Sequence, residues 1–168
     1  PKKFLTTEIE LYTRIDKKSD ERLVEIMAFS LMSNHFHLMV KQKVDGGLTE
    51  FMRKVGTGYT NYFNIKHHRV GPLFQGLYRR VLLELESQLR YLPYYIHLNP
   101  IEISLPEWKE KNLTKKEIET SIDNLKKYRW SSHLDYAGSN TFSNLIDKKL
   151  ITELLGNAKE YKKGISDW

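Results

Sequence analysis

Two spacings in this chain bring together residue types that can do chemistry. In "LMSNHFHLMV", Leu31 to Val40, the imidazoles of His35 and His37 stand two positions apart. In "YLPYYIHLNP", Tyr91 to Pro100, the phenol of Tyr95 stands four positions before the amide of Asn99. Side chains of a strand repeat every two residues, so the two imidazoles would share one face and can converge on one metal ion or one phosphate. Side chains four apart on a helix share a face, so Tyr95 and Asn99 would look the same way. A phenol attacks a phosphodiester when something stabilises the charge on both partners, and a divalent cation does this. With an amide oxygen from Asn99, His35 and His37 make three protein ligands and leave positions open for phosphate oxygens. A plainer reading stands beside this one. The histidines are then hydrogen-bonded structural residues, Tyr91, Tyr94 and Tyr95 belong to an amphipathic core face, and Asn99 caps a helix.

Composition narrows the chemistry. The 168 residues suit one domain, and 40% hydrophobic content fills an ordinary core. There is no cysteine, which excludes disulfides, thiolate metal sites and thiol catalysis. A metal would be held by histidine, carboxylate, amide or backbone oxygen, which points to a hard or borderline cation. No GxSxG elbow, P-loop or HExxH helix is present. No apolar run is long enough to span a membrane, and the start "PKKFLTTEIELY" does not read as a signal peptide. The net charge of +6 and pI of about 9.3 favour a polyanionic partner. From Phe51 to Leu83 the chain carries six basic residues and no acid: Arg53, Lys54, Lys66, Arg69, Arg79 and Arg80. Tyr59, Tyr62, Phe63, Phe74 and Tyr78 are interleaved with them. Basic groups neutralise phosphates and flat rings stack on bases; the same pattern also describes a solvated helix with an aromatic core stripe.

The elements that would position these residues follow from periodicity. Val24 to Leu31 and His35 to Lys41 read as strands joined by a tight turn at Ser33 and Asn34, hence an antiparallel hairpin. On the second strand Phe36, Leu38 and Val40 form the apolar face, while the histidine face is mixed and partly wet. Leu48 to Ile65 has helical spacing interrupted by Gly56 and Gly58, which suggests close packing or a ligand there. Tyr78 to Leu83 reads as a third strand. Glu86 to Leu98 reads as a helix that either starts at Pro93 or kinks there. Lys115 to Lys126 and Phe142 to Leu155 read as further helices. The whole is predicted to be a single α/β domain over 1–168, with a C-terminal helical tail over 139–168.

Four segments, in order, resemble a known family: "SLMSNHFHLMVKQ", "GYTNYFNIKHHRVGPLFQGLYRRVLLE", "YLPYYIHLNPI" and "YRWSSHLDYAG". They are similar to the IS200-like, or Y1, transposases, and most to the branch associated with repetitive extragenic palindromes. The likeness runs from about Met27 to Gly138. In that family an HxH motif binds metal, and here it falls on His35, Phe36 and His37. The family tyrosine opens "YIHLNP", which gives Tyr95, and the amide four residues on, Asn99, resembles the third ligand. The resemblance implies a ferredoxin-like α/β sandwich with a central antiparallel sheet. It implies Mg²⁺ or Mn²⁺ as cofactor and single-stranded DNA with a hairpin or palindromic element as partner. The reaction implied is cleavage and rejoining through a 5′-phosphotyrosine that leaves a 3′-OH. It further implies a cytoplasmic protein, associated with the nucleoid when DNA-bound.

Two departures stand out. The family's usual first strand, resembling YHVTxR, is replaced by "PKKFLTTEIELYTRI", so the expectation is a chain lacking that strand. After the tyrosine helix the usual NPVRAGLV is "NPIEISLPE", which puts Glu102 where a basic residue is customary and would repel a phosphate. Tyr95 is preferred over Tyr94, which points about 100° away on a helix and has Leu98 rather than an amide four residues on. His97 is assigned a structural role or a DNA contact, and Gln75 a base contact or a core or turn role. A non-catalytic nucleic-acid-binding module and a metal-dependent phosphohydrolase are the alternatives. The chain is read as a monomer, with a dimer left open.

Overall fold

The computed structural model describes residues 22–106, 108–110 and 112–167. The expectation about a missing first strand falls on residues 1–21, outside the described residues.

Strands β1 (Val24–Leu31) and β2 (Phe36–Gln42) form an antiparallel pair. Leu31 opposite Phe36 is the last pair, and the amide of Met32 donates to the carbonyl of His35 at 2.8 Å to close the turn. His35 therefore belongs to the turn and not to the strand, because its carbonyl is spent in closing the loop. The register shifts between Ile26 and Ala28, so that Met27 is an extra residue in β1. Such a bulge bends and twists the strand locally. The far edge of β1 is also occupied. Leu31 donates to Trp130 O at 2.8 Å, Ser132 to Phe29 O at 3.0 Å and Asp147 to Ile26 O at 2.8 Å. With both edges paired, β1 is buried on both faces at Ala28, Phe29 and Ser30.

Three sequence expectations are corrected here. On β2 the deeply buried residue is Met39, on the same face as His37, whereas Phe36, Leu38 and Val40 are half-buried. The core thus lies under the histidine face. The predicted third strand at Tyr78–Leu83 is an irregular connector. The edge of β1 is taken by residues 130–132 and 146–147, the connector pairs with neither strand, and Leu77, Val81 and Leu82 are exposed. The helix expected from Phe142 is confined to Lys149–Leu155. Phe142 N instead binds Asp135 Oδ1 at 2.8 Å, and Ile146 bridges to Ile26.

Helix α1 (Gly47–Lys66) leaves the hairpin through Gly46, whose φ of 67° is left-handed. At Gly47 a Cβ would lie 2.4 Å from Leu23 O, so no side chain fits where the helix starts against β1. At Gly56 and Gly58 a Cβ would meet nothing within 4 Å among the described residues, so close packing of this chain is not the reason for either glycine. Helix α2 (Glu86–Leu98) packs on β1, burying Pro93, Ile96, His97 and Leu98. It does not begin at Pro93 but runs through it. A proline in a helix interior forfeits a hydrogen bond at a cost of about 3 kcal/mol, which the burial of this face offsets. Short α3 (Ile101–Ser104) and a 3₁₀ turn at Trp108–Glu110 follow, then α4 (Lys115–Lys127), α5 (His133–Tyr136), α6 (Lys149–Leu155) and α7 (Ala158–Ser166). Thr114 with Glu117 and Asn157 with Glu160 form capping boxes at the starts of α4 and α7.

A buried polar chain fastens α2 to the rest. Ser132 Oγ accepts from Phe29 N at 2.9 Å and lies 2.7 Å from His97 Nε2. His97 Nδ1 lies 2.8 Å from Tyr161 Oη, which lies 2.8 Å from His133 Nδ1. One proton arrangement satisfies every contact: His97 Nε2–H donates to Ser132, whose hydroxyl donates to Phe29 O. Tyr161 donates to His97 Nδ1, and His133 Nδ1–H donates to Tyr161. Burial first, and then the charge of His133 for His97 and of Lys162 for His133, hold both imidazoles below the ordinary range, His133 at about 4. Both are therefore neutral at pH 7.

Candidate active site

The hairpin turn and α2 together position the chemistry foreseen in the sequence. His35 and His37 project to the same side, with ring centres 5.0 Å apart and planes at 90°. Two imidazoles sharing one ion at about 2.1 Å would place their ring centres roughly 4.5–5.2 Å apart, so the observed spacing fits a shared cation. His35 is exposed, and its Nδ1 lies 2.7 Å from Asn34 Oδ1. His37 is half-buried beneath it. Burial, the neighbouring His35 and Lys109 lower its pKa, in that order, and Glu102 opposes them. The neutral imidazole thus favoured is the form that ligates a cation.

Tyr95 reaches this face from α2. Its ring centre is 5.8 Å from that of His37, and the planes stand at 80°. Tyr91, one turn earlier, stacks on it at 6.0 Å. Tyr94 goes elsewhere: it stacks on Tyr161 at 5.5 Å, and its phenol end occupies the space where a Cβ on Gly164 would stand. His97 is in the buried chain and not at the site. Asn99 is fully buried; its Nδ2 donates to Tyr95 O at 2.6 Å, which directs Oδ1 away from the helix.

That Oδ1 accepts from Lys109 Nζ at 3.0 Å, and the same ammonium sits over the Tyr95 ring, 4.2 Å from its centre. Lys109 went unnoticed in the sequence. It lies ten residues beyond Asn99 in "PEWKEKN", and no local pattern signals that the chain returns to the tyrosine. Glu102, noted only as a departure from the family pattern, lies near enough to His37 to act on its charge. Among the described residues no three histidine, aspartate or glutamate side chains form a metal cluster. Any third ligand beside the two imidazoles would be of another kind, and the Asn99 amide is engaged by Tyr95 O and Lys109.

The basic, aromatic segment forms its own surface. Phe36, on the opposite face of β2 from His37, meets Phe74 at 6.0 Å, and Phe74 meets Tyr59 at 6.2 Å. Tyr59 also touches Tyr62 and Phe63. Lys66 lies over the Tyr62 ring and Arg69 over Phe63, at 5.6 and 5.7 Å. Arg53 and Lys54 both engage Glu50, at 2.7 and 3.6 Å; that acid lies one residue outside the acid-free stretch and offsets part of its charge. Arg79 and Arg80 are exposed on the connector, which Tyr78 ties to Thr49 through a 3.4 Å hydroxyl contact. If a single-stranded nucleic acid lies on this surface, replacing Arg79 and Arg80 together by glutamine weakens its binding for all sequences alike. It should also flatten the plot of log affinity against log salt by about 1–2 units. Fluorescence anisotropy at several salt concentrations reads both, and an unchanged slope removes the pair from the footprint.

The hairpin sets His35 beside His37, and α2 brings the Tyr95 ring to His37. Residues 2–98 match the family model described as "Transposase IS200 like". This is more than half of the chain, which belongs to that family. The matched span includes residues 2–21 as well as His35, His37 and Tyr95, and ends one residue before Asn99. No curated protein and no solved structure matches the chain.

Proposed function

We propose that this protein is a metal-dependent nuclease and strand transferase that cuts and rejoins single-stranded DNA near hairpins, on a ferredoxin-like sandwich of which β1 and β2 are part. The observation that carries the reading is the approach of the Tyr95 ring to His37, itself beside His35. His35, His37 and Asn99 would hold a Mg²⁺ or Mn²⁺ ion, which when bound draws charge from the scissile phosphate. Tyr95 Oη attacks phosphorus, the Oη–P bond forms and the P–O3′ bond breaks. The phenolic proton is lost and the leaving oxygen ends as a 3′-OH. The phosphodiester energy is retained in the 5′-phosphotyrosine, so a 3′-OH can attack it and reverse the step. Asn99 holds the carbonyl of Tyr95, and Tyr91 covers one side of the ring, so the nucleophile is oriented by its own helix. The basic surface around Arg53, Lys54, Lys66, Arg69, Arg79 and Arg80 would take the backbone of the DNA partner, contacts that position more than they specify.

The test is a single strand bearing a hairpin, labelled on either side of its flank and incubated with protein and Mn²⁺. The expected product is a protein–DNA adduct, resistant to denaturation, carrying the label 3′ of the cut. The other fragment should be extendable by a polymerase. Cleavage without adduct would point to hydrolysis and sink the strand-transfer reading.

A further inference from the structure

The position of Lys109 carries an inference that rests on this reading and deepens it. Its ammonium is bound to Asn99 Oδ1 at 3.0 Å and lies over the Tyr95 ring at 4.2 Å. The amide of Asn99 is held by its own helix through the 2.6 Å bond to Tyr95 O, so Oδ1 faces one direction only. The residue is buried, so Oδ1 has no second approach through solvent. An ammonium and a metal ion cannot share that approach, since two cations on one small neutral acceptor repel each other. Lys109 itself is an exposed side chain on a short 3₁₀ turn, with a flexible stem free to swing outward.

We propose that Lys109 is a tethered cation that competes with the metal for Asn99 and hands its site over when a DNA phosphate arrives to accept the ammonium. Without DNA, metal must displace the lysine from both the amide and the aromatic face. With DNA, a phosphate oxygen gives the ammonium a stronger, charge-assisted partner beside the same tyrosine. Metal and DNA thereby assist each other's binding although they do not compete for one ligand atom. By linkage the assistance is reciprocal.

The experiment measures Mn²⁺ affinity through the electron paramagnetic resonance of the free ion. It uses Tyr95→Phe protein, which retains the ring and cannot cleave, with and without a hairpin-flanked single strand. The Mn²⁺ taken up by the oligonucleotide alone is subtracted. In the Lys109 protein, DNA is expected to tighten Mn²⁺ binding about tenfold. Adding Lys109→Met should tighten Mn²⁺ binding by a similar factor in the absence of DNA and leave little further gain when DNA is added. A gain equal with and without DNA would mean that the lysine acts only as a distant positive charge, and would overturn the proposal. So would an unchanged or weaker affinity. Failure of the function itself looks different: Mn²⁺ binds neither protein, and the native chain forms no adduct.

Discussion

Tyr95→Phe protein is expected to form no covalent DNA adduct, while Tyr94→Phe protein forms it at a rate within about twofold of the native chain. The contrast is sharp because the two residues are adjacent and chemically identical. Tyr95 faces His37 and Lys109; Tyr94 stacks on Tyr161 against α7. Removing the Tyr95 hydroxyl removes the only atom that would bond to phosphorus, so the loss should exceed roughly 10³-fold in single-turnover cleavage. DNA affinity should be nearly unchanged, since the ring and its neighbours persist. Removing the Tyr94 hydroxyl leaves a ring stacked on another ring. An adduct that survives Tyr95→Phe would show that another side chain attacks, and would detach the tyrosine helix from the chemistry.

Acidification from pH 6.5 to 4 is expected to destabilise the fold, His133 contributing about 3 kcal/mol, read as falling urea midpoints. His97 and His133 are each held below their ordinary value of 6.5, His133 at about 4. The unfolded chain therefore binds protons that the folded chain refuses, and stability is lost as pH falls from 6.5 through the folded values. Above 6.5 both forms are neutral and the contribution is flat. Buried Asp135 acts in the opposite sense, because burial raises its carboxyl above the usual range and the folded chain takes up its proton first. Its contribution is therefore opposite in sign to that of the two imidazoles. Tyr161→Phe should remove the hydroxyl between the two rings and leave a nitrogen of each without its partner, at about 1–3 kcal/mol per orphaned group. If the midpoint is flat between pH 6.5 and 4, the histidine chain is not what holds α2.

Much of the local structure was legible because it is written in short patterns. The bounds of α2 follow from apolar spacing ended by Asn99 and Pro100. The hairpin follows from two apolar runs about a Ser-Asn turn. The placement of His35 and His37 on one side follows from their two-residue spacing, even though His35 proved to be a turn residue. Helix α7 falls within the expected helical tail, and its start carries a readable signal, the Asn157-x-x-Glu160 capping box. What failed depended on partners far away in sequence. The burial of Met39 instead of Phe36, Leu38 and Val40 is decided by which face of the sheet α2 covers. The absence of a strand at Tyr78–Leu83 reflects the capture of the β1 edge by residues 130–132 and 146–147. Lys109 is of the same kind: only the chain reversal after α3 brings it to Tyr95.

On the proposed reading the β1–β2 hairpin also acts as a ruler. The contacting rings of Phe36, Phe74 and Tyr59 lie on one side of it, and His37 with Tyr95 on the other. On that reading, a strand of DNA that rounds the Met32–His35 turn passes from the first side to the second. The thickness of a packed sheet layer, about 10 Å, corresponds to about three stacked nucleotides at roughly 3.4 Å each. The distance from the gripped segment to the scissile bond is then set by the protein's own backbone, and the sequence lying between them is free to vary.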